Sequence, residues 1–268
     1  MKKFGFFGAG NMATAIIDGM IRSNFTEPES IFVYDIDTEK LSVMQQKGIN
    51  TCKNSGDVAK NAEIIVLAVK PQNYKELLNE IKNDISEQTV LVSIAAGISI
   101  DFIVKNVEKN VPVVRVMPNT PLLLGKGSTA MAKSENISDE DFKIVYDLFA
   151  LSGTVEILTE DLMNAVISVN GSSPAYIYLF AKAMADYAVE QGINYDSAMN
   201  LICATFEGSA AMLKHSGDTP DVLIKKVSSP GGTTLKALET LDSLHFYDAV
   251  KNAMDACTKR AIELCSND

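Results

Sequence analysis

From the N-terminus, short β-branched and aromatic runs alternate with stretches of helical spacing. KFGFF (3–7), IFVYD (31–35), EIIVLAV (63–69), TVLVSIA (89–95) and VPVVRVM (111–117) are apolar at consecutive positions. Each therefore predicts a strand covered on both faces, as in a buried parallel sheet. Between them NMATAIIDGMIRS, DTEKLSVMQQKG, PQNYKELLNEIKND and SIDFIVKNVEKN have helical spacing, and most carry Gly, Asn or Asp near the end, where helices stop. Strand and helix in regular alternation predict an α/β domain, a doubly wound parallel sheet of Rossmann type. STAMAKS and GTVEILTE, on either side of the helix-like SDEDFKIVYDLFALS, add one or two edge strands and bring this domain to residue 160.

After Asp161 the pattern changes. AYIYLFAKAMADYAVEQG, SAMNLICATFEGSAAMLKHSG, TTLKALETLDS and YDAVKNAMDACTKRAIELC all have helical period and are rich in Ala, Leu and Met. Residues 161–268 are thus expected to form an all-helical second domain. Its long faces are apolar enough that one chain leaves part of them uncovered, which points to a helical dimer interface, with a monomeric bundle as the alternative.

Composition narrows the partners. The chain has 268 residues, enough for a real core, and a net charge of −10, which argues against nucleic acid or an anionic membrane as main partner. Cys52, Cys203, Cys257 and Cys265 are scattered without a C-x-x-C pair, and His215 and His245 are the only histidines. Neither a metal site nor a disulfide framework is expected. The opening MKKFGFFGAGNMATAIIDGM imitates a secretion signal, but Gly8, Gly10, Asn11 and Asp18 break its apolar run, so a cytoplasmic protein is expected.

The first strand runs directly into Gly8-Ala9-Gly10-Asn11-Met12-Ala13 and a helix. In that context a G-x-G-x-x-A turn is a dinucleotide site: Gly8 allows the tight turn, Gly10 the approach of a pyrophosphate, and Ala13 close helix–strand packing. The competing reading is a tight turn that holds no ligand. Asp35, about 25 residues beyond Gly10, ends the second strand. A carboxylate there binds ribose hydroxyls and repels a 2′-phosphate, which leans towards NADH. Asp37 is alternatively a helix N-cap and Lys40 a phosphate contact, so NADH and NADPH both stay open.

Further short stretches stand where strands end or helices begin: AVKP (68–71), IAAG (94–97), MPNTP (117–121), NGSSPAY (170–176) and SSPGGTT (228–234). If the helix after SSPGGTT begins near Thr233, the N–H groups of Gly231, Gly232, Thr233 and Thr234 converge at its N-terminus and favour a carboxylate. The alternative is that Thr233 or Thr234 merely caps the helix. Ser172 and Ser173 read as caps for the helix that Pro174 opens.

Taken in order, GFFGAGNMATAI, LAVKPQ, VSIAAGI, RVMPNTP, GSSPAYIYLFAKAMAD and VSSPGGTTLKAL make the chain resemble the pyrroline-5-carboxylate reductase family over nearly its whole length. The last two motifs are the most diagnostic. The resemblance implies reduction of 1-pyrroline-5-carboxylate to L-proline by NADH or NADPH. It also implies a Rossmann domain followed by a helical dimerisation domain, with dimers assembling further into decamers. It assigns Thr234 a catalytic role near the substrate ring nitrogen and gives substrate binding to Ser229, Gly231, Gly232, Thr233 and Thr234. Asn54 would contact the adenosine ribose, with Gly8, Ala9, Gly10, Asn11 and Met12 forming the cofactor turn. Ala68, Val69, Lys70 and Pro71 would line the cofactor cleft, and Ile94, Ala95, Ala96, Asn119 and Thr120 the nicotinamide side.

The chemistry suits the absence of His, Cys or an obvious acid from these motifs. Hydride addition to an imine carbon needs orientation, a carboxylate dock and a donor near nitrogen. Two rivals remain. A β-hydroxyacid dehydrogenase or imine reductase shares the architecture, but the former would carry a lysine on its interdomain helix, and none follows Pro174 until Lys182. A nucleotide-binding protein without turnover would have no need of a second anion site.

Overall fold

A computed structural model describes residues 2–266 and resolves them into two units. One holds the chain up to Ser172 and resumes at Cys257; the other is Ser173–Ala256.

The first unit is built on β1 (Phe4–Phe7), β2 (Ile31–Tyr34), β3 (Asn50–Thr51), β4 (Ile64–Leu67), β5 (Val90–Ser93), β6 (Val113–Met117), β7 (Gly127–Lys133) and β8 (Gly153–Ile157). They form one sheet in the order β3-β2-β1-β4-β5-β6-β7-β8. Every neighbouring pair is parallel except β6 and β7. Helices α1 (Asn11–Arg22), α2 (Thr38–Gln46), α3 (Ser55–Asn61), α4 (Tyr74–Ile81), α5 (Ile100–Val107) and α6 (Asp139–Ala150) connect the strands.

The unbroken apolar runs are explained by two cores. Within β4, Ile64 and Val66 join Phe6, Ile17, Met20 and Phe149 on one face, whereas Ile65 and Leu67 join Phe7, Val58, Leu78 and Ile103 on the other. Alternate residues serve opposite cores, and each such side chain taken from water contributes roughly 1.5–3 kcal/mol before ordering costs.

Several features lie beyond what the sequence pattern predicts. Strand β3 and helix α3 come from the polar stretch after Ile49, where a two-residue strand and a seven-residue helix leave too short a period to read. The compact units divide at Ser172, and the segment between β8 and that point stays with the sheet: Met163 is buried with Ala130 and Ala132 of β7. The chain's last helix, α11 (Phe246–Ser266), also returns to this unit. Its later turns meet that segment through Cys257 Sγ to Ser172 Oγ (3.3 Å), Thr258 Oγ1 to Ser168 Oγ (3.4 Å) and Cys265 Sγ to Asn164 Oδ1 (3.3 Å). Periodicity shows that a helix forms, but not where its end docks.

The second unit is all-helical: α7 (Ser173–Glu190), α8 (Tyr195–His215), α9 (Pro220–Lys226), α10 (Thr233–Ser243) and the first turns of α11. Ala181, Ala185 and Ile202 form a small core with Met184, Met199 and Phe206. Phe180 stacks on Phe206 with ring centroids 6.0 Å apart. Helix α9 was not expected; Pro220 opens it and Thr219 Oγ1 accepts the N–H of Val222. Large apolar side chains stay exposed along α7, α8 and α11, among them Tyr178, Leu179, Leu201 and Tyr247. Among the described residues no helix is long and apolar enough to cross a membrane.

Candidate active site

The register sets Phe7 beside Tyr34 and Leu67, and Leu67 beside Ser93. The next residue of each strand, Gly8, Asp35, Ala68 and Ile94, therefore stands at one edge of the sheet. Between β1 and β4 the chain order reverses, which is where open α/β sheets bind ligands. Gly8 donates its N–H to the Tyr34 carbonyl (2.8 Å), and Ala68 donates to Phe7 (2.8 Å). Gly8 has φ +99°, and a Cβ there would lie 2.6 Å from the Ala68 carbonyl oxygen. Only glycine meets both constraints.

Gly10 is the N-cap of α1; no side chain caps the helix and its first turn holds no acidic residue. A Cβ built on Gly10 would meet nothing within 4 Å. Ala9 and Ala13 are buried, Met12 is half-buried and Asn11 exposed. The amides of the first turn thus face open space with the dipole's positive end, and a dinucleotide pyrophosphate fits this turn.

Asp35 is held by backbone on both sides. Its Oδ2 accepts the N–H of Ala9 (2.7 Å) and its Oδ1 that of Asp37 (2.8 Å). Asp37 caps α2 by accepting from Glu39 and Lys40, and Lys40 Nζ lies 3.2 Å from Asp37 Oδ2. The hydrogen bond from Lys40 holds the Asp37 carboxyl below its usual pKa. Lys40 is therefore engaged with Asp37. Asn54 caps α3, its Oδ1 accepting from Asp57 N (2.9 Å), so its side chain has a structural task at the position expected to meet ribose.

The loops after β4 and β5 share a support that the sequence reading missed. Tyr74 and Ser93 are completely buried, and the Tyr74 hydroxyl bonds to the Leu67 carbonyl (2.6 Å) and to Ser93 Oγ (3.0 Å). Burial pushes the Tyr74 phenol well above its ordinary pKa, against hydrogen bonds from Ser93 and from the backbone of Ala95 and Ile94. Tyr74 thus braces both the 68–71 and the 94–97 stretches. Ala95 is buried, and Ile94, Ala96, Ala68, Val69 and Pro71 are half-buried. Lys70 is exposed, and its carbonyl accepts the N–H of Asn73 in the turn that Pro71 begins.

Asn119 is 8% exposed. Its Nδ2 donates to the Asn170 carbonyl (3.1 Å) and its Oδ1 accepts from Ser128 N (2.9 Å). Asn170 Nδ2 in turn donates to the carbonyls of Met117 (2.7 Å) and Ser128 (3.0 Å). The pair ties the MPNTP turn to β7 and to the π-helical turn Ile167–Gly171. Arg115, 4% exposed, donates through Nη2 to Asn164 Oδ1 (2.6 Å) and pairs with Glu160, which also accepts the N–H of Ile100. Asn170 and Arg115 carried no local signal, since their partners lie about 50 residues away along the chain.

In the helical unit, Gly231 adopts φ +71° and Gly232 N–H bonds to the Ser229 carbonyl (3.0 Å). A Cβ on Gly232 would fall 2.7 Å from Ser229 Oγ. Gly232 is the N-cap of α10, with no side-chain cap and no acid in the first turn. Thr233 and Thr234 thus lie inside the first turn, exposed, and neither caps it. The turn combines uncapped amides with two available hydroxyls, a suitable dock for a small carboxylate.

Known proteins share both halves. Residues 160–264 match the family described as pyrroline-5-carboxylate reductase dimerisation, and residues 3–97 match NADP oxidoreductase coenzyme F420-dependent. The pyrroline-5-carboxylate reductase of Escherichia coli K12 is 37% identical, over 98% of each chain. That of Arabidopsis thaliana is 35% identical, over 98% of this chain and 95% of its own. Among solved structures, the Plasmodium falciparum pyrroline carboxylate reductase with NADP bound superposes with TM-score 0.91 at 31% identity, covering 98% of both chains. Prephenate dehydrogenase from Aquifex aeolicus, at 14% identity and TM-score 0.56, shares the fold alone. With the glycine turn, the braced strand-end loops and the SSPGGTT turn all in place along a full-length match, the chain belongs to the pyrroline-5-carboxylate reductase family.

Proposed function

We infer that this protein reduces 1-pyrroline-5-carboxylate to L-proline with NADH or NADPH, the closing step of proline synthesis. The observation that carries the substrate half is the uncapped first turn of α10 with the exposed Thr234 hydroxyl. In this reading the backbone N–H groups of Gly231, Thr233 and Thr234, with Ser229, hold the substrate carboxylate, while Gly232, whose own N–H is bonded to the Ser229 carbonyl, shapes the turn around it. Thr234 Oγ1 accepts a hydrogen bond from the ring N–H of the protonated imine and orients it for hydride addition.

The bound dihydronicotinamide supplies the hydride that converts the imine carbon to the amine carbon, while the ring nitrogen retains a proton. Gly8, Ala9, Gly10, Asn11 and Met12 hold the pyrophosphate, with Asp35 and Asn54 towards the adenosine. Ala68, Val69, Lys70, Pro71, Ile94, Ala95 and Ala96 line the cleft. Asn119 holds the MPNTP turn in shape through both ends of its amide, and its second Nδ2 hydrogen stays available on the nicotinamide side.

The exposed apolar residues of α7, α8 and α11 support a homodimer through the helical unit, which five dimers could extend to a decamer. Four unbridged cysteines suit a reducing, cytoplasmic setting. The deciding experiment follows dihydronicotinamide absorbance on addition of 1-pyrroline-5-carboxylate, with proline identified as product. Substrate-dependent loss is expected; activity on a hydroxyacid instead would select the dehydrogenase reading. Lys182, the first lysine after Pro174, is exposed and paired with Asp186, which disfavours that rival.

A further inference from the structure

We propose that Asp35 makes this protein select NADH over NADPH, acting as a fixed negative charge clamped by two backbone amides. The proposal rests on the dinucleotide part of the function inferred above and not on the identity of the substrate.

A side-chain carboxylate at the end of the second strand ordinarily has two torsions to turn through. Here each oxygen accepts a backbone N–H, one from Ala9 in the glycine turn and one from Asp37 in the next loop. The carboxylate therefore cannot swing aside for an incoming anion without releasing two half-buried bonds. Each oxygen keeps acceptor capacity for one more donor, which suits the hydroxyls of a ribose diol. A ribose 2′-phosphate has no donor to offer at neutral pH and would bring a dianion to a carboxylate that stays in place.

The surrounding charges do not relieve that repulsion. Residues 35–40 contain Asp35, Asp37 and Glu39 against Lys40 alone. Lys40 is bound to Asp37, whose carboxylate also caps α2. The fork of an arginine is the usual partner of a 2′-phosphate, and the chain has three arginines, all committed or remote in sequence. Arg115 is buried against Asn164 and Glu160, Arg260 pairs with Glu263, and Arg22 ends α1. Lys53, exposed just after β3, is the one other cation of the neighbouring loop. Ile36, 88% exposed between the two aspartates, adds an apolar surface next to the clamp that a flat adenine can cover.

The same clamp couples the two loops. Because Asp35 holds Ala9 N–H, it orders the pyrophosphate turn as well as the ribose loop, and neutralising it has two separable consequences: some loss of NADH affinity and a gain for NADPH.

The test measures dissociation constants for NADH and NADPH by fluorescence titration of the full chain, without substrate, for the wild type, Asp35→Asn and Lys53→Ala. The wild type is expected to bind NADH on the order of tenfold more tightly at low salt, with the gap narrowing at high salt as the repulsion is screened. In Asp35→Asn the ratio should fall to within about threefold, chiefly through tighter NADPH binding. Lys53→Ala should leave the ratio in place. Equal or tighter NADPH binding by the wild type, or an unchanged ratio in Asp35→Asn, would overturn the proposal. Should that variant not fold, competition on the wild type between AMP and its 2′-phosphorylated analogue decides the same point: AMP must bind more tightly, and by a margin that salt reduces. Absence of pyrroline-dependent turnover would count against the proposed function and leave these ratios unaffected.

Discussion

Tyr74 and Ser93 share a 3.0 Å hydroxyl–hydroxyl bond at a point where neither residue exposes any surface. Tyr74 has one hydroxyl proton and places it on the Leu67 carbonyl at 2.6 Å, so Ser93 is the donor between the two. The direction matters, because the bond then joins the last residue of β4, the last residue of β5 and the first helix turn between them. The 68–71 and 94–97 loops, proposed above to line the cofactor cleft, leave the sheet from those two strand ends.

Removing that hydroxyl should therefore cost stability and cofactor affinity together. Tyr74→Phe leaves the Leu67 carbonyl and the Ser93 hydroxyl buried without their partner, a loss of about 1–3 kcal/mol. A lower urea midpoint with unchanged m-value would record it, and NADH titration should show weaker binding. Ser93→Ala should be milder, and the double variant less than additive, because the two residues serve one network.

The two glycines of the first turn should fail differently. Gly8→Ala puts a Cβ 2.6 Å from the Ala68 carbonyl oxygen at φ +99°, so both folding and cofactor binding should suffer, with destabilisation of roughly 1–3 kcal/mol or more. Gly10→Ala meets nothing within 4 Å and has an extended φ of −75°, so the melting temperature should hardly move. Its methyl would instead stand where a pyrophosphate approaches, and NADH binding should weaken. Thermal melts with and without NADH separate the two outcomes.

What could be read from the sequence was whatever local pattern determines. The apolar runs of β1, β4 and β5 announced themselves because both faces are buried, and Pro230-Gly231-Gly232 placed the start of α10 at Thr233. Contacts between distant segments were not readable. Asn119 was expected on the nicotinamide side from its Pro-flanked turn, but the bond of its amide to Asn170, 51 residues away, had no local signal. Tyr74 looked like one more apolar position in an amphipathic helix, and only the fold shows its hydroxyl at two strand ends. Asp35 was found by its spacing, but its bond to Ala9 depends on β1 and β2 being neighbours in register.

Cys52 provides a dependence on alkaline pH. Burial, helped by the charge of Asp57, pushes its thiol up to about 11. At pH 8, three units lower, about one thiol in a thousand is ionised, so alkylation mapped to Cys52 should be slow and should accelerate roughly tenfold per pH unit up to about pH 10. The folded state holds this proton more tightly than the unfolded one. Stability is therefore intact below the ordinary thiol pKa and is lost as pH rises towards 11. Denaturation midpoints from pH 8 to 11 should fall less steeply in Cys52→Ala than in the wild type.

Thr234 offers the sharpest separation of structure from chemistry. The cap of α10 is Gly232, and the Thr234 side chain is exposed inside the first turn. Thr234→Ala should accordingly shift stability by no more than about 0.5 kcal/mol. If its hydroxyl meets the charged ring nitrogen in the transition state, losing that bond removes roughly 1.5–3 kcal/mol, which is about a 10- to 150-fold fall in kcat. Thr234→Ser keeps the hydroxyl and should retain most of the rate, while Thr233→Ala, which leaves both backbone amides in place, should mainly raise KM. Steady-state kinetics beside thermal melts reads both quantities. A destabilised Thr234→Ala would give the hydroxyl a structural part in the turn, whereas a stable variant with full turnover would leave the backbone amides of the turn as the only part of it acting on substrate.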